Sequence, residues 1–340
     1  MTESGLKGKT ILITGAAGFI GGALAYRLLQ QEPEIRIIGI DNLNDYYDPA
    51  LKEARLSRLK DDRFAFIKAD IADPETLPAL FAQYHPQLVI HLAAQAGVRY
   101  SIDHPEAYIQ SNIVGFFRIL EACRHNHTEH LVYASSSSVY GDSDVFPFGE
   151  EQNTDHPVSL YAATKKSDEM LAESYAALYG IPATGLRFFT VYGPWGRPDM
   201  AYFSFADRLT HGETIRLFNY GSCERDFTYI DDITEGICKV LLYPPEAAVP
   251  HRIFNIGKGS PDRLLDFVSV LVEKLKESGS LPQDFDLEAH TEYLPMQKGD
   301  VRTTYADTSQ LEAVTGYHPH TDLKTGLEEF SRWYTDYRRK

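Results

Sequence analysis

The stretch Tyr161-Ala162-Ala163-Thr164-Lys165 has residue types and a spacing that could do chemistry. On a helix, residues i and i+4 share a face, so a phenol and an ammonium would stand side by side. A phenol is a poor base at neutral pH, because it ionises near ~10. A neighbouring ammonium favours the phenolate and fits it to take a proton from a hydroxyl group. Only one of the 21 tyrosines has a lysine four residues on. Upstream, Ala134-Ser135-Ser136-Ser137-Ser138 closes an apolar run, and a hydroxyl there could bridge a substrate hydroxyl and the phenol. Tyr161, Lys165 and Ser136 are therefore candidate catalytic residues. Taken alone, the same pair would also suit an exposed helix face.

The elements that must position them follow from the hydrophobic pattern. Thr10–Ile13, Ile35–Ile40, Phe64–Lys68, Leu88–Leu92, Leu131–Ser135 and Thr184–Phe189 read as strands, and Ile20–Gln30 reads as a helix. Short apolar runs alternating with amphipathic ones predict an α/β fold, a doubly wound parallel sheet of Rossmann type with helices on both faces. After about Thr190, Gly, Pro and aromatic residues become dense, as in Val191-Tyr192-Gly193-Pro194-Trp195-Gly196-Arg197-Pro198. We therefore divide the chain into 1–189 and a smaller, partly discontinuous region, 190–340, with segments near 226–254 returning to the first part. Such a region could cap the sheet's carboxyl edge, where open α/β sheets bind ligands. Trp333–Lys340 reads as a fraying helix end.

Thr14-Gly15-Ala16-Ala17-Gly18-Phe19-Ile20-Gly21 follows the first strand and opens the first helix. Glycines in such a turn permit tight curvature, approach of backbone to a pyrophosphate, and helix–strand packing. The helix N-terminus adds free N–H groups and a positive dipole. Asp41 ends the second strand at the distance where an acid accepts both ribose hydroxyls and repels a 2′-phosphate. Asn42 follows with no adjacent Arg, which favours NAD over NADP. The expected cofactor contacts are Gly15, Ala17, Gly18, Phe19, Ile20, Gly21, Asp41, Asn42, Asp70, Ile71, Leu92, Ala93 and Ala94, with Tyr161 and Lys165. Asp70 would equally suit a helix N-cap. His91 reads more readily as a core histidine than as a functional one.

Composition narrows the partners. A formal net charge of -15 argues against nucleic acid or an anionic membrane. Cys123, Cys223 and Cys238 match no zinc site or disulfide framework, and no metal site is expected; reduced cysteines suit a cytoplasmic protein. Met1–Thr10 has no apolar core of a signal peptide, and no run is long enough to span a bilayer.

Taken together, Gly15–Gly21, Asp41, the Ser136 region, Tyr140-Gly141, Tyr161/Lys165 and Arg187-Phe188-Phe189 resemble the extended short-chain dehydrogenase/reductase family over essentially the whole chain. Within it the longer strings are most similar to UDP-glucuronate 4-epimerases. These are Asp41-Asn42-Leu43-Asn44-Asp45-Tyr46-Tyr47-Asp48-Pro49, Gln95-Ala96-Gly97-Val98-Arg99-Tyr100-Ser101, Gly193–Met200 and Arg225–Asp232. The resemblance implies an NAD-dependent isomerase that interconverts UDP-glucuronate and UDP-galacturonate by transient oxidation at C4, with NAD tightly held. Tyr161 would take the 4-hydroxyl proton through or beside Ser136, and Lys165 would hold the nicotinamide ribose.

A 4-keto uronate can lose CO2 unless its carboxylate is pinned near the ketone plane. Ser136, Ser137 and Thr190 offer hydroxyls for that, and Arg197 offers a bidentate charge. Galactose epimerases usually carry Asn where Thr190 stands. Arg225 resembles the family's pyrophosphate-binding arginine and Asp300 its ribose-binding acid. Gln297 stands where a second phosphate-binding Arg is usual, and Arg302 could substitute. The nearest alternatives are a UDP-glucose 4-epimerase and a UDP-glucuronate decarboxylase. Ser136-Ser137-Ser138 lacks the acid that sugar-nucleotide dehydratases need. Outside catalysis, an NAD-binding sensor or scaffold could keep the fold. The resemblance also implies a homodimer, paired through helices near Pro105–Arg124 and Leu160–Tyr179. The apolar spacing Ile113, Phe116, Phe117 and Leu120 suits that pairing or packing on the sheet.

Overall fold

The computed structural model describes residues 5–296 and 302–339. Seven strands build the central sheet: β1 (Thr10–Thr14), β2 (Arg36–Asp41), β3 (Phe64–Lys68), β4 (Leu88–His91), β5 (His130–Ser136), β6 (Ala183–Phe188) and β7 (His251–Ile256). Their order is β7-β6-β5-β4-β1-β2-β3, and every pairing is parallel. The six expected strands form within a residue or so of their expected bounds. The seventh comes from the later part of the chain.

Strands buried on both faces read as continuous apolar runs, and Ile11, Ile13, Val89, Ile90, Leu131 and Val132 are all fully buried. Helix α1 (Phe19–Gln31) buries Leu24, Ala25 and Leu28 against the sheet. On the opposite face, α2 (Gly115–Asn126) buries Phe116, Ile119 and Leu120, while Phe117 stays 37% exposed. The apolar spacing read from the sequence therefore splits between the sheet and the outside. Helix α3 (Leu160–Tyr179) is capped by the Ser159 hydroxyl, which accepts from the Ala162 amide.

Small sheets follow the sixth strand. Thr190–Tyr192 pairs with Phe227–Tyr229, Ile215–Leu217 with Thr291–Tyr293, and Glu224–Arg225 lies between Asp262–Arg263 and Thr303–Thr304. The last helix, α4 (Leu323–Arg338), runs through most of the segment read as a helix end. Tyr334 is buried and the Trp333 ring packs 5.2 Å from that of Trp195. Among the described residues no helix is long and apolar enough to cross a membrane.

Candidate active site

Strand order reverses between β1 and β4, and a cleft of about 460 Å³ opens at the carboxyl ends of these strands. Its wall brings together Gly15, Gly18, Phe19, Ile20 and Gly21, then Asp41, Asn42, Asp70, Ile71, Leu92, Ala93 and Ala94. The same cleft continues to Ser136, Ser137, Tyr161, Lys165, Thr190 and Arg197. Residues 130–200 thus meet the glycine turn because β5, β6 and α3 all deliver their chemistry at one sheet edge.

The glycine turn leaves no room for side chains at Gly15 or Gly21. Gly15 has φ +71°, and a Cβ there would lie 2.8 Å from the Ala93 nitrogen. A Cβ on Gly21 would lie 2.2 Å from the Gly15 carbonyl oxygen. Gly18 precedes α1 and no side chain caps that helix, so its N-terminal dipole faces the cleft unsatisfied by a carboxylate or hydroxyl. Ala17 does not line the cleft. Its amide instead donates to Asp41 Oδ2 at 3.2 Å, while the Leu43 amide donates to Oδ1 at 2.9 Å. Asp70 lines the cleft but caps no helix: its Oδ1 accepts from the Ala72 amide at 2.8 Å in a turn, and the next helix begins only at Thr76, behind Glu75. The uncapped helix, the fixed Asp41 carboxylate and the absence of room for a Cβ in the turn all suit a dinucleotide with a free ribose 2′-hydroxyl.

His91 lies outside the cleft wall, stacked on Phe116 with ring centres 5.2 Å apart. Burial, and then Lys165, push its pKa down to about 3, so it stays neutral. Thr14 Oγ1 sits 2.8 Å from His91 Nδ1 and accepts from the Leu92 and Ala93 amides at 3.2 and 3.1 Å. These bonds fasten the end of β1 to the small residues after β4.

Lys165 is buried; its Nζ donates to the Ala134 carbonyl at 2.9 Å and to Asp168 Oδ2 at 3.1 Å. Tyr161 stands at the start of the same helix, its ring 6.0 Å from that of Tyr108 in an edge-on contact. A π-helical turn over Ile109–Val114 presents Asn112 to this region. Its Nδ2 donates to the Gln95 carbonyl at 3.1 Å and to Thr164 Oγ1 at 2.9 Å, and its Oδ1 accepts from the Gln95 amide at 2.8 Å. π-helical turns are rare and recur at functional sites. Beneath the serines, Ser135 Oγ donates to Glu169 Oε1 at 2.6 Å, and Arg187 grips both Glu169 oxygens at 2.8 Å each. That buried network fixes the strand end carrying Ser136, whose Oγ accepts from the Ser138 amide at 3.2 Å.

Sequence reasoning missed several of these. Asp168 pairs with Lys165 three residues earlier on the same helix, a spacing open to a sequence reading. Asn112 and Glu169 carry no local signal, because each acts on a group brought to it by tertiary packing. Arg55 is another. It is 2% exposed, and its guanidinium donates to the carbonyls of Ala17, Trp195 and Gly196 at 3.0, 2.8 and 2.9 Å. It thus ties the glycine turn to the loop that ends at Arg197. Arg197 itself is engaged by Asp199, at 3.0 Å from Nε and 2.5 Å from Nη2. Arg225 is not on the cleft wall; its Nη1 donates to the Glu224 and Arg302 carbonyls at 2.8 and 2.9 Å. Asp300 and Gln297 lie outside the described residues.

An all-parallel, doubly wound sheet with a glycine turn, a strand-end acid and a Tyr/Lys helix in one cleft is the architecture of a dinucleotide-dependent enzyme of the short-chain dehydrogenase/reductase type. The chain belongs to the NAD dependent epimerase/dehydratase family, whose profile matches residues 11–257. It is 45% identical to UDP-glucuronate 4-epimerase 4 of Arabidopsis thaliana, over 97% of this chain and 76% of that one. It is 41% identical to the probable UDP-glucuronate 4-epimerase of Rhizobium meliloti strain 1021, over 96% of this chain and 98% of that one. Its fold superimposes on a crystal structure of UDP-glucuronic acid 4-epimerase from Bacillus cereus in complex with UDP-glucuronic acid and NAD. The TM-score is 0.85 and the identity 32%, with 96% of this chain and 99% of that one covered.

Proposed function

We propose that this chain is an NAD-dependent UDP-glucuronate 4-epimerase, interconverting UDP-glucuronate and UDP-galacturonate. The observation that carries this is the continuity of one cleft from the glycine turn and Asp41, past Tyr161 and Lys165, to Ser137, Thr190 and Arg197. The relatives named above act in the same sense.

NAD would be held by Gly15, Gly18–Gly21, Asp41 and Leu92–Ala94, and when bound would supply reversible two-electron oxidation at C4. Tyr161 takes the proton of the sugar 4-hydroxyl and later returns it. Ser136 bridges that hydroxyl and the phenol. Lys165, one helical turn on from Tyr161 and lining the same cleft, would hold the nicotinamide ribose. Ser137 and Thr190 bind the sugar carboxylate through hydroxyls, and Arg197 binds it through charge. Holding the carboxylate near the ketone plane suppresses loss of CO2, which separates this reading from a decarboxylase. Arg225 and Asp300 would serve the UDP end.

The protein acts as a homodimer. Met170 and Leu178 on α3, with Ile109 and Phe117 on the neighbouring helical segment, are exposed at 64%, 68%, 44% and 37%. Each pair lies eight residues apart, on one face of its helical run. A cytoplasmic site of action accords with three cysteines that form no disulfide.

Tyr161→Phe is the direct test of the catalytic assignment. The variant should still bind NAD and lose roughly 10²–10⁴-fold in conversion of UDP-glucuronate, followed by chromatographic separation of the two epimers. Equal activity in variant and wild type would remove Tyr161 from the chemistry.

A further inference from the structure

The guanidinium of Arg197 is held along one edge. Nε donates to Asp199 Oδ1 at 3.0 Å and Nη2 to Oδ2 at 2.5 Å. A guanidinium has a second edge, made of Nη1 and the other Nη2 hydrogen, that grips a carboxylate in the same bidentate way. Among the described residues Arg197 Nη1 makes no hydrogen bond, and Arg197 lines the cleft beside Thr190 and Tyr161.

Asp199 is fixed from its other side. The Tyr46 hydroxyl donates to Oδ2 at 3.2 Å, and the Arg197 guanidinium lies 5.9 Å from the centre of the Tyr46 ring. That ring packs edge-on against Tyr100 at 4.8 Å. Behind them, Arg55 holds the carbonyls of Trp195 and Gly196 and so anchors the backbone entering Arg197. The plane of the guanidinium is thus set before any ligand arrives. A lone arginine would have to be ordered during binding, and would hold a carboxylate less tightly for it.

We propose that Asp199, held by Tyr46, is a specificity-determining positioning residue that aims the second edge of Arg197 at the sugar carboxylate and so decides whether that carboxylate is kept or lost. The inference rests on UDP-glucuronate being the substrate. Once C4 is a ketone, the C6 carboxylate is β to it. If the C5–C6 bond turns perpendicular to the ketone plane it can break: its electron pair passes into the C4–C5 enolate, CO2 leaves, and C5 then takes a proton. A carboxylate gripped at both oxygens by a fixed plane does not turn.

The test compares full-length wild type with Asp199→Asn and Tyr46→Phe. Binding of UDP-glucuronate and UDP-glucose is measured by calorimetry, and products from UDP-glucuronate are quantified by NMR. Asp199→Asn should weaken UDP-glucuronate about tenfold and leave UDP-glucose within about twofold. It should also raise the share of UDP-pentose formed by CO2 loss, and Tyr46→Phe should move both readings the same way by less. An unchanged product share overturns the inference. So does equal weakening of both sugars, which would mark general damage, or tighter UDP-glucuronate binding, which would make Asp199 a competitor for the arginine. Wild type that converts no UDP-glucuronate overturns the substrate reading itself, whereas wild type that converts it while the variants match it overturns only the role of Asp199.

Discussion

Lys165 Nζ donates to the Asp168 carboxylate at 3.1 Å, one helical turn beyond the residue that carries it, and both side chains are all but sealed from solvent. Burial pushes the Asp168 carboxyl up to about 7, and Lys165 pulls against that rise. A carboxyl that holds its proton more tightly folded than unfolded contributes stability that is full below the ordinary carboxylate range, ~3.9. That contribution is lost as the pH rises through about 7. Asp168→Asn keeps the shape and removes the titration. Wild type should therefore lose thermal stability relative to this variant as the pH is raised from about 4 to about 8. Melting curves of the two that run parallel across the range would contradict this.

Arg55 makes three backbone contacts with carbonyls drawn from two distant stretches of chain. Truncation to Ala would leave the carbonyls of Ala17, Trp195 and Gly196 without their donor. Arg55→Ala should cost about 2–4 kcal/mol in urea unfolding. It should also weaken NAD binding, because Ala17 belongs to the glycine turn. A variant with wild-type midpoint and slope would show that the loop holds without it.

Glu169 is enclosed between Arg187 and Ser135, with both of its oxygens gripped by the guanidinium. Removing the charge leaves Arg187 buried without its counter-ion. Glu169→Gln should cost about 3–5 kcal/mol by chemical denaturation, a loss expected when one member of a buried pair is taken away. A cost within about 0.5 kcal/mol, the scale of a surface change, would mean that Arg187 finds another partner.

The exposed apolar pair Met170 and Leu178 gives the dimer proposal a direct handle. Charge placed at both positions cannot be buried in a contact without a partner. The double variant Met170→Glu/Leu178→Glu should elute as a folded monomer where wild type elutes as a dimer, with light scattering giving the mass. Two dimers, or two monomers, would move the interface elsewhere or remove it.

Much of this site was legible because its signals are local. The glycine turn, Asp41 at a strand end and the Tyr161/Lys165 spacing each lie within a few residues of the element that explains them, and all meet in one cleft. Asp199 and Tyr46 were not legible, since 153 residues separate the two groups of one hydrogen bond. Arg197 was read as a carboxylate-binding charge, yet nothing local says that one of its edges is already taken two residues on. Phe116 and Phe117 show the limit differently. Periodicity placed both on an apolar face, but the sheet covers one ring and leaves the other 37% exposed. The closing helix was legible, but not the packing of Trp333 on Trp195, which lies far away in the sequence.

The 4-epimerase assignment is tested most directly by proton NMR of purified protein with UDP-glucuronate, and separately with UDP-galacturonate, adding no NAD. Both solutions should drift to the same fixed ratio of the two sugars, since the cofactor is regenerated in each cycle and stays bound. Neither sugar changing, even after NAD is supplied, would contradict the assignment.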